Sequence, residues 1–350
     1  MSISSREDPL SSLLTVRRGG GYRQLVSPLS SRLIVLSVAV AMLMALSVPL
    51  ASRAHAADPC GPPVVNPIAC ENTKTGSPQS EWDTTGTGDD TIQGFSTDIS
   101  VNAGSTVHFK IKTSASAYRI DIYRLGWYGG DGARKMATVN HSGVQSQPAC
   151  LFYTATNLTD CGNWAESTSW AVPGSAVSGV YVAKLTRTDT NADNHIVFVV
   201  RNDTSHSDVL YQTSDTTWQA YNSFGGASLY PGPIGRAYKV SYNRPFTTRG
   251  DVPEGRDFVF ANEYPMIRFL ERNGYDVSYA SGVDTDRYGS LLTNHKTFLS
   301  VGHDEYWSGQ QRANVEAARD AGVNLAFFSG NEVYWKTRWE PSTEGSSTPY

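Results

Sequence analysis

The feature that most constrains this chain is a change of hydrophobic period near Asn202. Before it, residues 98–101, 106–111, 118–123, 180–185 and 196–200 alternate between apolar and polar side chains. A period of two predicts strands with one buried face, and strands at this spacing predict an antiparallel β-sandwich. Gly-rich turns such as Gly129-Gly130-Asp131-Gly132 punctuate them. After Asn202 the pattern alternates strand and helix. A strand at 208–213 is followed by a helix at 265–272, apolar at 266, 267, 269 and 270 and stopped by Gly274. Strands at 275–279 and 297–302 come next. Ser308-Gly309-Gln310-Gln311 then reads as a capping box opening a helix that Gly322 ends, before a last strand at 323–328. Apolar strands alternating with helices predict a parallel, Rossmann-like α/β sheet. The expected fold is therefore multi-domain α+β, a sandwich over 89–202 followed by an α/β domain over 203–350. No G-x-G-x-x-G follows the first of these strands, so a dinucleotide is not indicated. Four strands leave an open sheet edge, and the α/β part is expected to be truncated at its C-terminus.

The first 57 residues read as a targeting segment. Residues 33–50 carry no charge, Arg17, Arg18, Arg23 and Arg32 precede them, and Ala54-His55-Ala56 follows. That order predicts a secretory signal peptide, the alternative being a retained membrane anchor through 33–50. Residues 58–88, rich in Pro, Gly, Ser and Thr, are expected to run as a tethered loop. Export would place the four cysteines in an oxidising compartment, where Cys60 with Cys70 and Cys150 with Cys161 make the simplest pairing. With 29 basic against 33 acidic residues, no basic surface is available for nucleic acid.

Open α/β sheets bind ligands outside the carboxyl ends of their strands. There the sequence places Tyr221 after the first strand, Gly302-His303-Asp304-Glu305 after the third and Asn331 after the fourth, with Tyr264 at a helix N-terminus on the same side. A His and a carboxylate two positions apart could converge on one metal ion or serve as acid and base, or could merely cap a strand–helix junction.

The motifs Trp218-Gln219-Ala220-Tyr221-Asn222, Gly302-His303-Asp304-Glu305-Tyr306-Trp307 and Phe327-Phe328-Ser329-Gly330-Asn331, in that order, resemble the catalytic region of the large subunit of N,N-dimethylformamidase. The resemblance spans roughly residues 208–339, and the upstream sandwich is similar to the immunoglobulin-like part of the same architecture. It implies a hydrolase of small amides with one Fe(III) held by two tyrosines and a glutamate. Glu305 and Tyr221 would be ligands, with Tyr264 as the second tyrosine and Tyr230 its rival. His303 and Asn331 would be catalytic, His303 carrying a proton to the leaving amine. Phenolate and carboxylate oxygens suit Fe(III), and bound water would become a hydroxide nucleophile for the amide carbonyl. The export signal departs from the cytoplasmic enzyme that the resemblance implies. A homo-oligomer is compatible with this reading.

Two other functions fit the sequence. A cell-surface module binding carbohydrate or peptide could use the aromatic stripe from Tyr118 to Tyr128, although such a stripe also serves as sandwich core. A glycoside hydrolase would need paired carboxylates from Asp304, Glu305 and Glu332, yet adjacent strand residues point to opposite faces.

Overall fold

The computed structural model describes residues 58–247 and 258–343. The apolar run 33–50, read above as a signal or anchor, lies outside them. No helix among the described residues is long and apolar enough to cross a membrane. The chain is a mixed α+β protein with several sheets.

The stretch read as a tethered loop carries two short helices, α1 (Pro67–Glu71) and α2 (Gln79–Trp82), and buries Ile68, Glu71 and Trp82. Both expected disulfides are formed, Cys60–Cys70 and Cys150–Cys161. The strands that follow are β1 (Ile92–Ser96), β2 (Ser100–Asn102), β3 (Thr106–Thr113), β4 (Ala117–Leu125), β5 (Ala133–Ser142), β6 (Leu151–Tyr153), β7 (Leu158–Asp160), β8 (Thr168–Ala171), β9 (Gly179–Arg187) and β10 (Asp193–Arg201). They form a three-stranded sheet β1-β3-β8 and a five-stranded sheet β2-β10-β9-β4-β5, with β6 and β7 as a separate pair. Pairing is antiparallel except between β2 and β10.

The two larger sheets share one core. Phe109 and Ile111 of β3 meet Ile120, Ile122, Tyr181, Leu185, Ile196 and Phe198 of the five-stranded sheet. Alternation then sends Tyr123, Leu125, Val180, Val182, Val197 and Val199 to the opposite face. Those side chains pack with Tyr211, Ile267, Leu270 and Tyr279 from the second half of the chain. Every residue of β9 is consequently buried. One continuous core thus crosses the change of period at Asn202.

The second half contains β11 (Val209–Gln212), α3 (Asp215–Tyr221), α4 (Glu263–Arg272), β12 (Val277–Ala280), α5 (Gly282–Arg287), β13 (Thr297–Gly302), β14 (Tyr306–Ser308), α6 (Gly309–Asp320), β15 (Asn324–Ser329) and β16 (Trp335–Thr337). The sheet β12-β11-β13-β15 is parallel throughout, and β14 and β16 pair beside it. Ser308 caps α6 by accepting from the Gln311 amide at 2.9 Å, and Gly322 lies beyond its end at φ +101°. A reciprocal capping box, Ser281 with Asp284, opens α5 instead, at a helix that hydrophobic period does not reveal. In β13 and β15 the last paired residues are Gly302 and Ser329, which brings the two strand ends side by side.

Candidate functional site

The site is assembled where β11, β13 and β15 end. After β11 the chain turns into α3, whose N-cap residue Ser214 makes no side-chain cap of its own. Buried Glu263 supplies acceptors instead. One oxygen takes hydrogen bonds from the Ser214 amide (2.7 Å) and hydroxyl (3.0 Å), and the other takes one from the Trp218 indole (2.8 Å). These bonds fix the helix that ends in Tyr221. After α3 an irregular loop carries Tyr230. Arg244 ties this loop to the helix, donating to the carbonyls of Gln219 (2.8 Å), Phe224 (3.1 Å), Ala227 (3.3 Å) and Ser241 (3.1 Å). Burial with only carbonyl partners pushes its guanidinium down to about 9.

At the end of β13, Gly302 adopts φ +97°, and a Cβ there would come within 2.9 Å of Ser214 Oγ and 3.1 Å of Glu263 Cγ. Glycine is required by both the backbone conformation and the close approach. The three polar residues that follow go to different places. Asp304 turns inward, where Ser300 Oγ and Gln212 Nε2 each donate to it at 2.6 Å. Burial without a cation pushes its carboxyl up to about 7. Glu305, also buried, turns toward Tyr221 and Tyr230 and is held by its own backbone. Its amide donates to Thr217 Oγ1 at 3.1 Å and its carbonyl accepts from the Trp335 amide at 2.9 Å.

Three side chains converge on one oxygen of Glu305. Tyr221 and Tyr230 hydroxyls donate to Oε2 at 3.1 and 3.0 Å, and His303 Nε2 lies 3.3 Å from it. The two phenol rings stack with centroids 4.2 Å apart. Tyr306 in turn donates to the Tyr230 hydroxyl at 2.7 Å. Asn331, held at φ +53°, brings Nδ2 to 3.2 Å from His303 Nε2. Unprotonated, Nε2 accepts from the Asn331 amide; protonated, it donates to Glu305. Burial above all, then hydrogen bonding to Tyr221 and the nearby Glu305 charge, raise the Tyr230 phenol well above its ordinary range.

The structure therefore brings together Tyr221, Tyr230, His303, Glu305 and Asn331. It does not bring Tyr264 to them. The Tyr264 ring packs against Trp82 and Phe260, and its hydroxyl accepts from Arg268 at 3.3 Å. The helix start was placed on the correct side of the sheet, but at this position the side chain leaves α4 toward the sandwich. Tyr230, the rival, stands in its place. Asp304 and Glu305 diverge, as alternation demands. Tyr118, Tyr123 and Tyr128 are buried, so the stripe considered for ligand contacts is core. A cleft of about 880 Å³, lined by Val209, Met266, Phe269, Leu299, Val301 and Phe328 among others, follows the sheet face and approaches the site at Gly302. It offers apolar walls rather than reactive groups.

Among the described residues, no group of three or more His, Cys, Asp or Glu side chains could hold a metal ion. The candidate donors are two phenols and one carboxylate. All are hard oxygen donors, with both phenols on Glu305 Oε2 and His303 Nε2 3.3 Å from the same oxygen. That donor set fits a trivalent ion.

A family model described as N,N-dimethylformamidase beta subunit-like, C-terminal, matches residues 119–348. No curated protein matches the chain. Among solved structures, an AA10 lytic polysaccharide monooxygenase from Streptomyces lividans is 18% identical, with 29% of this chain and 56% of that one covered and a TM-score of 0.19. Cwp6 from Clostridium difficile is 8% identical, with coverages of 69% and 37% and a TM-score of 0.17. A family 123 glycoside hydrolase from Clostridium perfringens is also 8% identical, with coverages of 69% and 72% and a TM-score of 0.16. The chain thus spans about half or less of the first two. Likenesses this weak carry no argument about this protein.

Proposed function

The chain belongs to the N,N-dimethylformamidase beta subunit-like family, and from that premise we propose an iron-dependent hydrolase of the amidase type, acting on a small amide. The observation that supports it is the convergence of Tyr221, Tyr230 and His303 on one oxygen of Glu305. In this reading the two-sheet part is an immunoglobulin-like sandwich and the parallel sheet a Rossmann-like domain. Two disulfides in one chain support export, which would separate this protein from a cytoplasmic amidase.

Tyr221, Tyr230 and Glu305 would hold the ion. Fe(III) bound there would acidify water and polarise an amide carbonyl. Hydrolysis adds water across the C–N bond, so one proton must reach the departing nitrogen. His303 is placed to carry it, because its Nε2 can pass between acceptor and donor roles with Asn331 and Glu305 as partners. Asn331 orients the ring. Glu263 and Arg244 hold Tyr221 and Tyr230 in place through α3 and the following loop.

Metal analysis and visible spectroscopy test this reading. About one iron per chain and a broad phenolate-to-iron band are expected. Glu305→Gln, Tyr221→Phe and Tyr230→Phe should lose iron, while Tyr264→Phe should keep iron and colour. His303→Ala should keep the metal and lose turnover. Retention of iron and colour by all three of the first variants would refute the assignment.

A further inference from the structure

We propose that Tyr306 is a positioning residue that aims the Tyr230 oxygen at Glu305 and remains hydrogen-bonded to it when Tyr230 serves as a ligand. The proposal rests on the iron reading above and concerns a residue outside the donor set.

Tyr306 opens β14, and its 6% exposure leaves the ring almost enclosed. Its backbone pairs in register with Trp335 of β16. The next residue, Trp307, is buried against Phe298 and Phe327, and the one after, Ser308, caps α6. The Tyr306 side chain therefore leaves a segment fixed on both sides. Tyr230 stands instead on the irregular loop that Arg244 ties to α3. It lies outside any helix or strand, with its amide bonded to the Ser228 hydroxyl at 3.2 Å. The strand residue can thus direct the loop residue. The link is short, 2.7 Å from hydroxyl to hydroxyl, and it continues at 3.0 Å to Glu305.

A tyrosine oxygen has one proton to give and two lone pairs. Tyr230 gives its proton to Glu305, and one lone pair receives the Tyr306 proton. A cation held by the Tyr230 oxygen would leave a lone pair for the Tyr306 hydrogen bond. Partners of this kind orient first ligands, and their loss typically weakens metal binding by about 10–100-fold. The bond also draws electron density from the phenolate oxygen. Without it the donor orbital rises, and charge transfer to iron needs less energy.

The test uses the full chain, loaded with Fe(III) and titrated with a competing chelator. Tyr306→Phe removes one oxygen and keeps the ring. Iron retention should fall by roughly 10–100-fold, and the visible band should move to longer wavelength while keeping its intensity. An unchanged band and unchanged retention would overturn the role of Tyr306 and leave the iron reading standing. A wild-type chain that takes up no iron overturns both. Should Tyr306→Phe fail to fold, resonance Raman spectra of the wild-type protein in H₂O and D₂O decide the matter. Exchange of the Tyr306 proton should shift an iron-bound tyrosinate mode, and no such shift refutes the proposal.

Discussion

Replacing Glu271 by alanine should remove about 3 kcal/mol of stability and lower one cooperative transition, without producing a second. Glu271 of α4 and Arg124 of β4 are both fully buried, joined at 2.7 Å between Nη2 and Oε1 and at 3.0 Å between Nη1 and Oε2. Tyr279 donates to Oε1 at 2.8 Å and Asn72 to Oε2 at 2.9 Å, so the carboxylate joins α4, β12, the segment after α1 and the five-stranded sheet. Arg124 also donates to the Ser178 carbonyl and the Tyr128 hydroxyl. Removing one member of a buried pair generally costs about 3–5 kcal/mol, because the other charge stays in a low dielectric. The lower end is expected here. Glu71 remains close by, accepting from the same Tyr128 hydroxyl, although Lys74 and Arg134 already hold it. At about 2 °C per kcal/mol for a unit of this size, the midpoint should fall by roughly 6 °C. Urea and thermal unfolding with the disulfides intact would measure the loss. Arg124→Met combined with Glu271→Met should recover most of it, since the desolvation penalty leaves with the charges. A Glu271→Ala loss under about 1 kcal/mol would refute the argument, as would a new early transition from one half of the chain.

Asp215 is held up to about 6 by burial, above the usual carboxylate value. A raised pKa means that the native state binds the proton more tightly, so this stability is complete below about pH 4 and is lost as pH rises through 6. Asp215→Asn should therefore gain on the wild type by up to about 3 kcal/mol between pH 4 and 8, read from melting curves across that range. Gly302→Ala should destabilise by more than ~1 kcal/mol and reduce iron retention, because the methyl group meets Ser214 and Glu263 at a positive φ. Cys60→Ser with Cys70→Ser should cost about 3 kcal/mol, in line with closure of a short loop, and non-reducing peptide mapping of the wild type should return both disulfides.

The strands were legible where one face is apolar and the other is not. β13 begins and ends where the sequence placed it, because a continuously apolar run between polar turns leaves little choice. β5 was not found, since nine of its ten residues are partly buried or exposed and its side chains are mainly polar. α5 was missed because six residues give no measurable helical period, although Ser281 and Asp284 carried its capping signal in plain view. At the site, Glu305, His303, Tyr221 and Asn331 were found because each sits at or just beyond the end of a regular element. Tyr230 was harder. It lies on an irregular loop whose path is set by Arg244 and buried carbonyls, and neither leaves a period in the sequence. Tyr264 had the better local pattern and the wrong direction.

The run His303-Asp304-Glu305 shows how one strand end separates the roles of similar side chains. Gly302 turns the backbone at φ +97°, and the chain leaves the sheet there. Asp304 then faces the protein interior, where hydroxyl and amide donors surround it and burial raises its carboxyl to about 7. Glu305 is buried on another side, where phenol hydroxyls and an imidazole meet it. The interior position of Asp304 favours an acid that can be neutral. Spacing in the sequence therefore decides more here than residue type. Three polar residues in a row can be read as one cluster only until the alternation of the backbone is applied to them.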